Sequence, residues 1–571
     1  TDESLDGISD MLFGGIQHTK KIDGKWMINN RTNYYHKPVY NLNHTWNINE
    51  DMTLSSVAYG SNGRGGGTGP LNSRGSFRED ESLGFTYDDD DDDDGIDDSF
   101  KYINPPQDAN GLYEWDKLIS WNRSDWDADA TNGVGDSDYI SNEYRSKAII
   151  RASVNHHDWY GLISNFKYDM SDVTINAGVD VRSYKGIHYR EVVNLLGGDY
   201  YVDSSNDNWT TNEDKVRRVG DKVAYHNIGY NNWMGGYLQA EYSKDALSAF
   251  VSAAGSNTTY QREDFFNYTD DSGDQKSEKA KYPGSAFKVG ANYNLNQNIN
   301  IFANAGALSV APNFRSVYLN YNNTVNPEAK NENVISAELG LGYMNSGLIL
   351  FGQSLDMKTN VNLYHTNWQD KQLVITENDL IYNVQGVNAV HQGIEVESRV
   401  GLLSGMVELY GALSLANWRW ENDVVADVTS DYDRSGETYS VEIYAGGLPV
   451  GDAPQRQLVA GVTYKAPFGL TINPVMKFFD RHFASYSPED LNFDWNAAGV
   501  DADLYIPAQK AYTTIDLHMS YNVGDLLPVP VTVGFHLLNA TDTEYFSDFL
   551  SNTTGFYGLG TRYNLSLGIS L

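Results

Sequence analysis

The sequence predicts an all-β fold, a transmembrane antiparallel β-barrel with about seventeen strands, on three observations. Strictly alternating apolar and polar runs recur along the chain, short turns alternate with much longer polar loops rich in aromatic residues, and no apolar run approaches the roughly 18 residues of a spanning helix. The clearest strand is Val173 to Val181, where Val173, Ile175, Ala177, Val179 and Val181 share one face and Thr174, Asn176, Gly178 and Asp180 share the other. In a soluble sandwich the apolar face would meet a second sheet; in a barrel it meets lipid.

The chain has 571 residues, no cysteine and only 15 prolines, so one large closed sheet fits better than several small domains. Absence of cysteine is compatible with export. The 41 Lys and Arg against 76 Asp and Glu give a net charge of −35, which argues against a nucleic-acid partner because phosphate neutralisation needs a basic surface. Forty tyrosines and 12 tryptophans suit membrane boundaries, and equally sugar-binding or peptide-binding surfaces. The first residue is Thr, without a signal peptide, so the numbering is expected to begin inside a longer precursor.

Eight hairpin turns are predicted near Asn49-Glu50-Asp51, Asp169 to Asp172, Lys244-Asp245, Asn294 to Asn298, Asn345-Ser346-Gly347, Leu403-Ser404-Gly405, Pro467-Phe468-Gly469 and Asn522 to Asp525. Each is rich in Asn, Asp, Gly or Ser, as tight turns require. Between them the alternation continues: Phe287, Val289, Ala291, Tyr293 and Leu295 share a face, then Ile299, Ile301, Ala303, Ala305 and Ala307. Near the end come Ile515, Leu517, Met519 and Tyr521, then Val531, Val533, Phe535 and Leu537, and finally Tyr563, Leu565, Leu567, Ile569 and Leu571. Tyr40, Trp46, Tyr168, Tyr293 and Tyr521 sit near strand ends and read as a boundary girdle. Eight hairpins and a terminal strand give an odd number, whereas single-chain bacterial barrels are even. With short turns periplasmic, residues 1 to about 38 fall in an external loop, and 61–157 form the longest external loop of a barrel spanning 1–571.

Several segments then resemble TonB-dependent outer-membrane receptors. Ala311-Pro-Asn-Phe-Arg315, Asn326-Pro-Glu-Ala-Lys-Asn-Glu332 and Glu338-Leu-Gly340 are similar to that family's mid-barrel signature, and Asn383-Val-Gln-Gly386 with Gly393-Ile-Glu-Val-Glu397 to the strand that follows. Asn539 with Tyr545-Phe546 resembles its penultimate-strand motif, while Tyr34-Tyr-His-Lys-Pro38 and Gly63-Arg-Gly-Gly-Gly-Thr-Gly69 resemble the receptors of Bacteroidetes-type bacteria. Ala329 and Asn331 depart from the usual Leu and Pro, and Leu571 from the usual terminal aromatic. The resemblance implies a barrel of 22 strands with a plugged lumen. An upstream segment carrying the plug and about five strands is therefore expected, with the TonB complex as its partner, outer-membrane lipid around the wall and a surface lipoprotein as a candidate partner. The implied activity is energised import of a scarce nutrient captured by external loops. Two other classes are carried: a passive channel or surface adhesin on the same barrel, and a secreted soluble β-rich glycan-binding protein.

The sharpest local pattern is acidic. Asp90-x-Asp92-x-Asp94-Gly95-x-x-Asp98 matches the first nine positions of a calcium loop, with the Ile96 carbonyl as a further oxygen. Position twelve is Lys101 rather than Glu, so the reading is a shorter, structural calcium loop; the alternative is a solvated acidic tract. Trp115, Trp121, Trp126 and Trp209 lie in the two longest loops, where their rings can stack on a ligand or pack a loop core. Gly63 to Gly69 lacks the Lys-Ser/Thr ending of a phosphate cradle and reads as an external turn. His156 and His157 point to opposite faces of a strand and do not suit one metal. No GxSxG, HExxH or CxxC occurs, so nothing recommends enzyme chemistry.

Overall fold

The computed structural model describes residues 19–22, 25–28, 31–72, 115–123, 139–350, 352–377, 380–430, 438–485, 488–524, 529–549 and 555–569. Among these, no helix is long and apolar enough to cross a membrane. The wall strands are β1 Val39–Asn47, β2 Met52–Asn72, β3 Ala148–Met170, β4 Val173–Asn194, β5 Lys222–Lys244 and β6 Leu247–Asp264. They continue as β7 Ala280–Asn294, β8 Ile299–Val310, β9 Glu332–Leu350, β10 Gln353–Glu377, β11 Leu380–Leu402 and β12 Val407–Trp420. The last are β13 Pro454–Lys465, β14 Leu470–His482, β15 Tyr512–Asn522, β16 Val531–Leu538 and β17 Arg562–Ile569. The barrel circuit contains twenty strands; setting aside the extensions Asn33–His36, Val424–Ser430 and Tyr439–Ile443 leaves these seventeen.

Antiparallel registers join each consecutive pair from β1 to β17. Tight hairpins close the short-turn end, with Ser171 and Asp245 at φ 46° and 51°, the left-handed geometry that lets a two-residue turn follow strand twist. The circuit is closed, with Asn33–His36 standing between β17 and β1. Among the described residues, however, no register pairs the two, and both are exposed along their entire length on both faces.

Alternation separates two surfaces. On β4 the outward row includes Val179 and Val181, 53% and 47% exposed, and its cross-strand neighbours Leu162 on β3 and Met234 and Leu238 on β5 are also exposed apolar side chains. The opposite row is polar and lines the lumen. Buried apolar clusters lie instead at the long-loop end. One gathers Val428, Ile443, Leu448, Phe483, Leu491, Trp495 and Ile506; a second Ile149, Val192, Leu195, Tyr201 and Val223; a third Tyr260, Ala280, Val317 and Tyr318.

Two expectations need correction. Asn345-Ser346-Gly347 is not the hairpin turn: the register shifts between Ser346 and Leu348, so it forms a β-bulge, and the turn lies between Leu350 and Gln353. Gly347, at φ 84°, supplies the left-handed residue that a bulge uses as readily as a turn. Likewise Gly63 to Gly69 is not an external turn but part of β2, paired with β3 on one side and with Asn33–His36 on the other. Glycine serves there by leaving room. A Cβ on Gly63 would stand 2.2 Å from His157 Cε1, and one on Gly69 2.9 Å from Arg151 Nη1. Because β2 and β3 run this far, the long connection spans 73–147 rather than 61–157.

Candidate functional site

The lumenal row of β9 to β12 builds an open recess. Cross-strand registers place Glu338 opposite Tyr364, Asn362 opposite Glu395, Thr366 opposite His391 and His391 opposite Trp418, and residues directly opposite share a face. Together these seven side chains line a cleft of about 290 Å³. Trp418 Nε1 donates to Tyr364 Oη at 2.9 Å, His391 lies 5.7 Å from the Trp418 ring, and Ser336 and Thr366 hydroxyls meet at 2.9 Å. Asn304 Nδ2 donates to Glu338 Oε2 at 3.4 Å. The Asn362 Oδ1 is buried with no hydrogen-bond partner among the described residues, which leaves one acceptor unused in the cleft. Two carboxylates, one imidazole, a phenol and an indole can orient a polar ligand by hydrogen bonds and ring contact.

A second lumenal patch rises on β2 to β5. His157 stacks on Tyr184 at 5.8 Å, Trp159 meets Tyr59 edge-on at 5.0 Å, and His188 Nδ1 shares a hydrogen bond with Asn155 Oδ1 at 2.7 Å. Above them Arg151 and Arg190 occupy the same face, because the register sets Arg151 opposite Val192 and Ser153 opposite Arg190. His156 points the other way and meets Tyr189 edge-on, as alternation requires.

The long loops are pinned by side-chain hydrogen bonds to backbone. Helix α1, Trp115–Asn122, ends in an Asn122 that is wholly buried; its Nδ2 donates to the carbonyls of Ala148, Leu195 and Leu196, and its Oδ1 accepts from the amides of Lys147 and Ala148. The Asn-Phe-Arg segment works similarly. Asn313 caps the turn Phe314–Val317 by accepting from Ser316 N at 3.0 Å, Asn326 Nδ2 returns to Ser316 O at 2.9 Å, and Phe314 packs on Tyr260 and Tyr318. Near the last hairpin Asn539 is buried, with Nδ2 donating to Thr543 O, while Tyr545 stacks on Tyr512 at 4.6 Å. Arg419 and Arg481 converge on Asp503 at 2.7 and 3.0 Å. Burial alone would raise the Asp503 carboxyl, but hydrogen bonds and charge from Arg419 and Arg481 outweigh it and hold it below the ordinary carboxylate range.

Of the residues expected to form sites, Trp115 is 5% exposed in α1, and Trp209 lies under the Arg217 guanidinium, 3.8 Å from its ring centre, and edge-on to Phe266. Trp121 belongs to α1, but its side chain lies outside the described residues, as do Trp126 and the acidic set Asp90, Asp92, Asp94, Ile96 and Asp98. Among the described residues no group of three or more His, Cys, Asp or Glu is arranged for a metal. Sequence reasoning did not single out Tyr364, His391, Trp418, Arg151 or Arg190. Alternation gives their face, but only the registers reveal which of them meet.

The family described as "TonB dependent receptor-like, beta-barrel" matches residues 23–540. No curated protein matches the chain by sequence. Among solved structures it is similar to the ferric citrate transporter FecA, at 11% identity and a TM-score of 0.55, over 94% of this chain and 61% of that one. It is also similar to the copper transporter OprC, at 12% identity and 0.56, over 95% and 66%, and to the siderophore receptor PiuA from Acinetobacter baumannii, at 10% and 0.53, over 97% and 66%. The chain therefore spans less than two thirds of the length of these structures. At such identities the likeness concerns the fold alone, and the family match over most of the chain carries the assignment. This chain belongs to the TonB dependent receptor-like β-barrel family, whose members sit in the bacterial outer membrane.

Proposed function

We propose that this chain forms most of the wall of a Bacteroidetes-type, TonB-dependent importer in the bacterial outer membrane. External loops and the lumenal wall capture a scarce nutrient, and work delivered by TonB through a plug releases it inward. The observation that carries this reading is the sidedness of the wall in a chain of this family: exposed Val179, Val181, Leu162 and Leu238 outside, and a recess of Glu338, Asn362, Tyr364, His391, Glu395 and Trp418 inside. A soluble sandwich would bury the first set against a second sheet.

The unpaired β1 and β17 support a further partner in the wall. In lipid each unsatisfied backbone group costs several kcal/mol, so the lengths of β1 and β17 that share no register, with only the four residues Asn33–His36 between them in the circuit, would be costly without a further strand to pair with. A segment supplying about five strands and the plug brings seventeen strands to the 22 of plugged transporters. TonB would engage through that segment, and a surface lipoprotein could cover the loop end. In the 73–147 connection, Asp90, Asp92, Asp94 and Asp98 with the Ile96 carbonyl would hold a structural calcium, and Trp115, Trp121, Trp126 and Trp209 would belong to the loops that meet the nutrient first.

The test is accumulation by cells carrying the full-length gene, compared before and after TonB is inactivated, across labelled iron-siderophore, haem, cobalamin, oligosaccharide and peptide nutrients. Uptake of one class that disappears with TonB is expected. Uptake that persists without TonB returns the barrel to a passive channel. Cysteines placed at Leu42 and Leu565 report the wall directly: a rapid disulfide between them would mean that β1 and β17 pair with each other and that no strands intervene.

A further inference from the structure

The chain has 76 acidic residues, and several of its described arginines pair with them. Arg218 pairs with Glu143, Arg262 with Asp264, Arg419 and Arg481 with Asp503, and Arg456 with Asp480. Arg151 and Arg190 do not. Among the described residues neither has an ion pair, and the Nε of each is buried without a hydrogen-bond partner. Glu191 is adjacent in sequence but stands on the opposite face, toward Lys222.

The two arginines are diagonal neighbours on one lumenal face, a relation that brings long side chains within reach of each other. Arg151 lies across Gly69, whose missing side chain makes the space for its guanidinium. The Arg190 guanidinium sits over the Tyr225 ring at 5.2 Å, which fixes its plane. Below them come His188, Asn155, His157 and Tyr184 on the same row; above them Ile149, Val192 and Val223 close an apolar roof. Burial, then the Arg190 charge, with a smaller contribution from Arg31, pulls the Arg151 guanidinium down to about 10. Two cations are thus held together under a partly apolar cover, where their charges repel and their fork-shaped donors are unspent. Nineteen residues separate Arg151 from the Met170 end of β3; at about 3.3 Å per residue and a tilt of about 40°, that is about 48 Å of height, above an apolar band of about 25 Å. The pair therefore faces the external mouth of the lumen, away from lipid headgroups.

We propose that Arg151 and Arg190 form a docking point for an oxyanion group, carboxylate or phosphate, on the ligand that enters the barrel. The site rests on the import reading for its biological meaning but not for its chemistry. A planar carboxylate or a phosphate accepts two parallel N–H bonds from one guanidinium and bridges to the second, so both cations are neutralised by one group. Binding should accordingly weaken as salt rises.

The test uses the full-length receptor, purified in detergent, and two probes: citrate and inorganic phosphate, titrated calorimetrically at low and high ionic strength. At least one probe should bind saturably to the wild type. Arg151→Gln and Arg190→Gln should each weaken it at least tenfold, with partial recovery in the Lys variants, whereas Arg64→Gln, on the outward face beside Asp158, should leave it unchanged. Which probe responds separates carboxylate from phosphate. Heat-modifiable migration confirms that each variant retains its barrel. No saturable binding to the wild type, or equal binding by wild type and both Gln variants, overturns the proposal. Anion binding without TonB-dependent uptake would retain the site and reject the import reading; uptake without anion binding would do the reverse.

Discussion

Ala177→Arg should destabilise the barrel by about 2 to 4 kcal/mol, the cost of a cation at the bilayer midplane of a transmembrane barrel. The magnitude follows from depth. β4 starts at Val173 after a turn at Ser171-Asp172, so Ala177 lies five residues above Asp172. At about 3.3 Å per residue and a tilt of about 40° this is about 13 Å, the middle of an apolar band about 25 Å tall. Its cross-strand neighbours on the outer face are Phe166 and Leu238, so the guanidinium would find no polar partner there. Val181→Arg, nine residues above Asp172, stands about 23 Å up, near the opposite interface, and should cost about 0 to 1 kcal/mol. Asn176→Arg turns into the lumen toward Glu241, whose Oε1 lies 3.4 Å from Asn176 Nδ2, and should be nearly neutral. Guanidinium titration of the full-length receptor in phosphatidylcholine vesicles, followed by tryptophan fluorescence, ranks the three. Equal destabilisation by Ala177→Arg and Asn176→Arg would refute the assignment of the two faces, and a larger loss for Val181→Arg than for Ala177→Arg would refute the depth scale.

Asn122→Ala removes the carboxamide that satisfies five backbone groups and should cost about 3 kcal/mol locally, seen as faster hydrogen exchange at the Lys147 and Ala148 amides with the wall strands unchanged. Asp503 binds its proton less readily when folded than when unfolded, so its contribution is present above the unfolded value near 3.9 and is lost as pH falls through the folded one. Protease sensitivity around Ala502–Tyr505 should stay flat from pH 8 to 5 and rise only in stronger acid, whereas Asp503→Asn should be sensitive throughout. Chelation of calcium should make the 73–147 connection more sensitive to protease while the barrel stays folded; identical digestion with and without chelator would assign Asp90, Asp92, Asp94 and Asp98 to a solvated tract.

Strand positions were the legible part of this chain because a lipid-facing wall imposes a period of two and its turns need residues that tolerate left-handed backbone. Val173 to Val181 shows both faces in nine letters. The errors share one cause. Asn345-Ser346-Gly347 carries turn chemistry, but β10 offers enough partners for β9 to continue past it, so the glycine bends a strand instead of ending it. Gly63 to Gly69 carries only two side chains, Arg64 and Thr68, too few to show an alternation, and its strand identity comes from His157 and Arg151 lying across it from β3, eighty or more residues away. The lumenal cleft was hidden for the same reason: Glu338, Tyr364, His391 and Trp418 sit on four different strands, and nothing in their local sequence fixes which rungs coincide.

The Asn313–Val317 turn, fastened by Asn326 and bedded on Tyr260 and Tyr318, has a consequence for how such chains can be told apart. The letters most useful for placing this protein among its kin are spent on joinery: a cap, a return hydrogen bond and a ring in a socket. The cleft shares two carboxylates, Glu338 and Glu395, with those quoted words, while Arg151 and Arg190 stand in none of them. The family signature and the proposed ligand contacts thus meet at two carboxylates and otherwise lie in different places on the same wall. Exchange of the lumenal rungs between two such receptors should move their preference for cargo and leave the joinery in place. A comparison of signature words alone will sort these proteins into one family without saying what any of them carries.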